Sequence, residues 1–287
     1  MTVGTQENTS VNNSGRSLMK YLFNRFYTIA AECANNLPEN NRPEVLHDLR
    51  VALRRLRRAL TVFRKGLDDE PLRKRCIKAI RQFSHDAGRY RDHDVWLMTI
   101  RQFGQDPQVE HDTGWQRFRE TAESISVHEL QHEEHLSGSY DTLLSVLCSL
   151  PGIGSAEPAA PSGRDIRSFA KKQVNRSAKK VRASLGDYRT WTAEELHRFR
   201  RVCRNARYVC EFFAPQLPKA VDRWAGRFRE IADNLGTIHD IDVSLAEPFG
   251  ISLPPVYRDH LMECRKSKMK RMKEHARWIR ALKNRVV

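Results

Sequence analysis

The sequence predicts an all-α protein assembled from two similar helical bundles. Three observations predict it. A basic amphipathic segment occurs twice, 150 residues apart. Apolar residues recur at helical period through most of the chain. No run alternates with period two, and no Asn-Gly or Asp-Gly pair marks a hairpin turn.

The first copy of the repeated segment is Leu46–Phe63, LHDLRVALRRLRRALTVF. His47, Arg50, Arg54 and Arg57 stand at i, i+3, i+7 and i+10. At about 100° per residue they share roughly 80° of a helix surface, and Arg58 lies beside them. Leu49, Leu53, Leu56, Leu60 and Phe63 form the opposite, apolar stripe. The second copy, Leu196–Phe213, reads LHRFRRVCRNARYVCEFF. A step of 150 residues carries His47 to His197, Arg50 to Arg200, Arg54 to Arg204 and Arg57 to Arg207. One such ridge alone reads as a solvated face. Two in register point to a shared ligand, and a repeat of this kind governs the fold argument.

The remaining elements follow in order. Residues 1–15 are polar and expected to be disordered. Ser17–Asn36 has helical periodicity through Leu18, Leu22, Phe26, Ile29 and Ala30. Pro43 suits the first turn of the first ridge, and Gly66 its end near Leu67. Pro71 opens a third helix, expected to stop by Gly88. The segment Gly88–Leu97 follows, then helices over about Thr113–His135 and Ser139–Leu150. Pro151–Gly163, PGIGSAEPAAPSG, is the expected linker. The bundles are thus placed at 16–150 and 164–287.

The second half repeats the order. Asp165–Leu185 is a basic helix, and Thr192 with Glu195 has the pattern of a capping box ahead of the ridge Glu194–Phe213. Pro218–Leu235 is a further helix, and Gly236–Leu245 mirrors Gly88–Leu97 at an offset of 148, matching Gly, Asp92/Asp240, Asp94/Asp242, Val and Leu. A last helix, about Pro255–Arg285, is expected to bury Met262, Met269, Met272, Ile279 and Leu282. Lys266, Lys270, Lys273, Arg277 and Arg280 form its basic edge. Duplication suggests a pseudo-two-fold arrangement in which the ridges face one another across a cleft.

Composition bounds the partner. The chain has 287 residues, with 50 Lys and Arg against 35 Asp and Glu, a net charge of +15. This predicts an anionic partner such as nucleic acid, a membrane surface or polyphosphate. No apolar run reaches the ~18 residues of a membrane span. The polar N-terminus carries no export pattern, so a cytoplasmic location is expected. The six cysteines show no C-x-x-C pair, and Cys203 and Cys210 stand at i and i+7. Reduced, buried thiols are expected.

The two ridges and the segments GRYRDHDV and LGTIHDIDV resemble the signatures of the CHAD family, the conserved histidine α-helical domain. The resemblance covers roughly residues 17–285. It implies two pseudo-symmetric helical bundles around a basic channel that binds inorganic polyphosphate without catalysis. Association with polyphosphate granules and their proteins follows from it, with no cofactor and no metal. Family members are often fused to a triphosphate tunnel domain; the absence of an E-x-E-x-K strand pattern leads us to expect a stand-alone member. The binding set expected is His47, Arg50, Arg54, Arg57, Arg58, Arg91, His197, Arg200, Arg204, Arg207, Lys273 and Arg277. His239 stands where the first half has Arg91, and Asn205 where it has Arg55, so a weaker grip is expected in the second half.

These residue types suit such a ligand. Polyphosphate offers a regular row of charges and no bases. Arginine presents a planar fork to two phosphate oxygens, and lysine a point charge. A neutral histidine donates to phosphate and gains charge as the anion raises its pKa; its alternative role is in helix packing. Asp92, Asp94, Asp240 and Asp242 follow glycines, which fits either helix N-caps or partners that orient the arginines.

Two other chemistries compete. The pairs His47-Asp48, His93-Asp94 and His239-Asp240 suggest an HD-type metal-dependent phosphohydrolase, yet a divalent cation needs carboxylates around it and the ridge arginines would repel it. A nucleic-acid binder fits the charge, but no helix-turn-helix, RNP or zinc-finger pattern accompanies it, so nucleic acid is expected to bind only non-specifically. His128–His132 matches H-E-x-x-H; His135 stands where the long zinc-protease pattern wants glycine, so HELQHEEH reads as an exposed polar helix.

Overall fold

The computed structural model describes residues 23–36, 43–64, 69–106, 109, 111–125, 133–150, 164–247 and 250–282. Among them there is no strand. The helices are α1 (23–35), α2 (Pro43–Val62), α3 (Glu70–Phe103), α4 (Thr113–Ser124), α5 (Glu133–Cys148), α6 (Arg164–Ser184), α7 (Ala193–Phe213), α8 (Ala220–Leu245) and α9 (Pro255–Ala281). The N-terminal segment 1–15, the linker 151–163 and most of HELQHEEH lie outside the described residues, as do the side chains of Arg89 and Arg91.

Local chemistry sets several helix starts. The Leu72 N–H donates to Asp69 Oδ1 at 2.7 Å, with Pro71 in the first turn of α3. The Trp115 N–H donates to Asp112 Oδ1 at 2.6 Å and caps α4. Thr192 and Glu195 form the expected capping box on α7, satisfying donors that the first turn leaves open.

Two expected boundaries are wrong, for one reason. α3 does not stop at Gly88, and α8 does not stop at Gly236. A glycine inside a helix costs about 1 kcal/mol relative to alanine. Buried residues on both sides of each glycine outweigh that cost: Phe83 and Ala87 before Gly88, Trp96 and Ile100 after it; Ile231 and Leu235 before Gly236, Ile238 and Ile241 after it. Asp92, Asp94, Asp240 and Asp242 therefore lie inside helices and are not N-caps.

A smaller correction concerns α9. Met262 is 56% exposed. The buried side of the helix instead runs through Tyr257, Leu261, Met272, Ala276 and Ile279, a stripe centred about 90° around the helix from Met262.

Three cores hold the helices together. The first joins α1, α2, α3 and α5 through Phe23, Leu49, Leu53, Leu56, Leu60, Ile80, Phe83 and Leu143. The second joins α6, α7, α8 and α9 and also takes Ala59, Val62 and Phe63 from the end of α2. The third is aromatic: Trp96 and Phe103 of α3, Trp115 and Phe118 of α4, and Tyr257 of α9 pack together with Ile241 of α8. α2 packs on α3 as α7 packs on α8; α2 also meets α7, and α3 meets α8. No helix of the described residues is long and apolar enough to cross a membrane. All six cysteines are free; Cys76, Cys203 and Cys210 are buried, while Cys148 is exposed.

Candidate functional site

The two ridges meet where α2 touches α7. The Leu49–Phe63 and Phe199–Phe213 stripes are buried in the cores, which turns the polar sides of both helices toward one region. Arg54 and Arg57 of α2 and Arg200 and Arg204 of α7 are all partly buried there. Their charges act on one another. Burial pulls the Arg204 guanidinium down to about 9, and Arg54, Arg200 and Arg57 pull it the same way. Arg57 is lowered by burial, then by Arg81, Arg54 and Arg201. Arg58 is lowered by burial and by Arg176 of α6. Guanidinium groups keep their protons under such pressure at neutral pH, so the ridges hold crowded, partly dehydrated positive charge.

Carboxylates relieve this crowding only at its edges. Among the described residues none pairs with Arg54, Arg57, Arg58 or Arg204, and the Nε atoms of Arg54 and Arg58 are buried with no protein acceptor. Arg200 is lowered by burial while Asp240, Asp233 and Asp92 act against that shift. Asp92 and Asp240 line a small crevice between α3 and α8 with Val95, Trp96 and Val243. Asp92 and Asp240 thus lie near enough to Arg200 to act on its charge. Asp242 instead takes a bond from Arg265 Nε of α9 at 2.6 Å.

The glycines of the repeated segments have a steric role. A methyl group on Gly236 would lie 3.0 Å from Arg200 Nη2 and 3.3 Å from Cζ, so the guanidinium rests on the bare helix backbone. The counterpart in the first half is looser: a methyl group on Gly88 would lie 3.7 Å from Arg50 Nη1, which donates to the Ser84 carbonyl at 3.3 Å.

His197 is brought against His239, with ring centroids 4.4 Å apart. Burial pushes His197 down to about 4, and His239, Arg201 and Arg200 add to the shift. Burial and Arg200 also lower His239. The Nδ1 of His197 is buried without a protein partner. His47 is partly buried on the matching position of α2. His93, one of the His-Asp pairs, is fully buried beside Trp96. No three His, Cys, Asp or Glu side chains of the described residues converge as a metal site requires.

Two of the expected residues sit elsewhere. Lys273 and Arg277 are exposed on α9, whereas the main charges acting on Arg57, Arg200 and Arg204 come from α2, α3, α7 and α8. Arg207 has its Nε on Glu211 Oε1 at 2.7 Å. Arg55 and Arg229 also bind Glu211, at 3.4 and 3.1 Å. Sequence reasoning missed Arg81, Arg201, Tyr208 and Glu211. The repeat carried a signal for one of them, since the 148-residue offset pairs Arg81 with Arg229.

Known proteins share this architecture. The crystal structure of the CHAD domain from the plant Ricinus communis matches with a TM-score of 0.51 and 20% identity, covering 94% of this chain and 93% of that one. PptA from Streptomyces chartreusis matches with a TM-score of 0.58 and 16% identity, covering 93% and 97%. No curated protein matches the sequence. The CHAD domain family model matches residues 27–247, which include both ridges and both glycine–aspartate segments. This chain belongs to the CHAD domain family.

Proposed function

We propose that the protein binds inorganic polyphosphate between its two ridges and does not turn it over. The observation that carries this reading is the set Arg54, Arg57 and Arg204: three partly buried guanidinium groups from two helices, with Arg54 acting on both of the others and Arg57 acting on Arg204, and with no carboxylate paired to them among the described residues. A fold that concentrates like charge at a cost in stability gains from an anion placed among the charges. A row of phosphates fits because the cations extend along both helices. His47, Arg50, Arg58, Arg91, His197 and Arg200 complete the proposed lining.

The reading includes a pseudo-two-fold cleft, with α2 and α3 facing α7 and α8 and the halves divided near residues 151–163. Cytoplasmic association with polyphosphate granules follows from the ligand. Duplex nucleic acid is a weaker, non-specific competitor, since the crowded charge lies between helices rather than on one outer face.

Calorimetric titration with polyphosphate of one defined length, at several salt concentrations, tests this. Affinity is expected to fall steeply with salt as condensed counterions are displaced. A flat salt dependence, preference for duplex DNA in competition, or phosphate release with magnesium or manganese would overturn it.

A further inference from the structure

Glu211 is the one carboxylate of the described residues that sits at the end of the ridge contact and takes arginines from three helices. Arg207 lies one turn before it on α7 and donates to Oε1 at 2.7 Å. Arg229 of α8 donates to the same oxygen at 3.1 Å. Arg55 of α2 reaches across to Oε2 at 3.4 Å. The side chain of Glu211 is only 21% exposed. Tyr208 joins this group to the unpaired arginines: its ring has the Arg55 and Arg207 guanidinium groups at 5.8 Å each, and its phenol acts on Arg57 and Arg204.

The first half is a built-in comparison. The repeat pairs Arg57 with Arg207 and Arg81 with Arg229. At the position of Glu211 it has Thr61, whose hydroxyl donates to the Arg57 carbonyl at 2.9 Å. So in one half Arg81 acts on Arg57, and among the described residues no carboxylate is paired with Arg57. In the other half the equivalent arginines share one.

We propose that Glu211 is a specificity-determining residue that acts as a resident anion. It occupies Arg55, Arg207 and Arg229, withdraws them from the ligand, and ends the polyphosphate strip at this point in the second half. The inference rests on the polyphosphate reading above. It makes the site asymmetric, with the open end on the Arg57–Arg81 side. Arg207, expected among the ligand contacts, belongs to the withdrawn set.

Two substitutions test it, read by titration of the full chain with polyphosphate of one defined length over a salt series. Glu211→Gln keeps the shape and frees the three arginines. It should raise affinity by about three- to tenfold and steepen the slope of log affinity against log salt by about one. Thr61→Glu places a carboxylate one turn after Arg57, as Glu211 follows Arg207, on an exposed position. It should lower affinity by about tenfold and flatten the slope. A carboxylate that only braces the fold would change melting temperature and leave the Glu211→Gln slope at the wild-type value, and that result overturns the inference. Should Glu211→Gln fail to fold, Glu211→Ser, which removes the same carboxylate, is read in its place. Wild-type protein that binds no polyphosphate overturns the function itself; wild-type binding with an unchanged slope in the Glu211 variant overturns only the role of Glu211.

Discussion

The guanidinium of Arg200 lies flat enough on α8 that a methyl group at Gly236 would stand 3.0 Å from its Nη2. That contact explains a glycine in mid-helix, where glycine is otherwise unfavourable. It also separates the two repeats, because Gly88 leaves an ordinary 3.7 Å to Arg50. Gly88→Ala should therefore stabilise the fold by about 0.5–1 kcal/mol through helix propensity and leave ligand affinity near wild type. Gly236→Ala should gain less stability and weaken polyphosphate binding, because Arg200 must move. Denaturant melts and titrations on both variants check the pair; equal behaviour would contradict the contact.

Crowded charge should make the unliganded ridges a burden on stability. Replacing Arg204 by Met keeps much of the apolar stem and removes the cation on which Arg54, Arg200 and Arg57 act. The empty protein should gain about 1 kcal/mol or more, as buried charges replaced by apolar groups often do. Polyphosphate binding should weaken by about 1–3 kcal/mol, the scale of a charged hydrogen bond. The same opposed effects are expected at Arg54, and the double variant should be non-additive since the two charges interact. Melting temperature without ligand, set beside affinity, is the measurement.

Acid should destabilise the empty protein in a defined window. His197 has its pKa moved from 6.5 to about 4 by burial and neighbouring positive charge, so the unfolded chain takes up a proton that the folded chain refuses. Stability from this group is full above 6.5 and falls as pH drops from 6.5 towards 4. His93, His239 and His275 are shifted in the same direction, each by burial first. Bound polyphosphate favours the protonated histidine and should shrink the loss. Melts at stepped pH, with and without ligand, should show it, and His197→Gln should flatten the curve of the empty protein.

Asp242 should matter for stability more than for binding. Its carboxylate takes Arg265 Nε at 2.6 Å, with the Asp242 side chain 14% exposed. Asp242→Asn should cost about 1–3 kcal/mol, as the loss of a charged hydrogen bond in a partly buried setting does, with polyphosphate affinity close to wild type in the folded variant. Urea denaturation and titration separate the two effects.

The sequence was most legible where the determining contacts are local. The Thr192–Glu195 box is three residues long, and the Leu49–Phe63 stripe needs only helical period, so both could be read directly. Gly88 and Gly236 misled because a breaker signal is weighed locally, while Trp96, Ile100, Ile238 and Ile241 hold the helices intact from outside. Arg207 was legible as a ridge cation but not as a partner of Arg55 and Arg229. Their shared carboxylate follows Arg55 by 156 residues, and no short pattern joins them. Arg81 and Arg229 were within reach, since the repeat aligns them, yet apolar neighbours give them the look of ordinary surface positions.

The aromatic core has a consequence for synthesis. Trp96, Phe103, Trp115 and Phe118 leave the ribosome long before Tyr257 and Leu261, with which they are buried. At roughly 5–20 residues per second the gap between Phe118 and Tyr257 lasts on the order of ten seconds. During that interval the nascent first half displays two tryptophans and two phenylalanines with their final cover still unmade. The second half therefore completes the folding of the first as well as its own, and the growing chain passes through a stage in which shielding by a chaperone has its greatest effect.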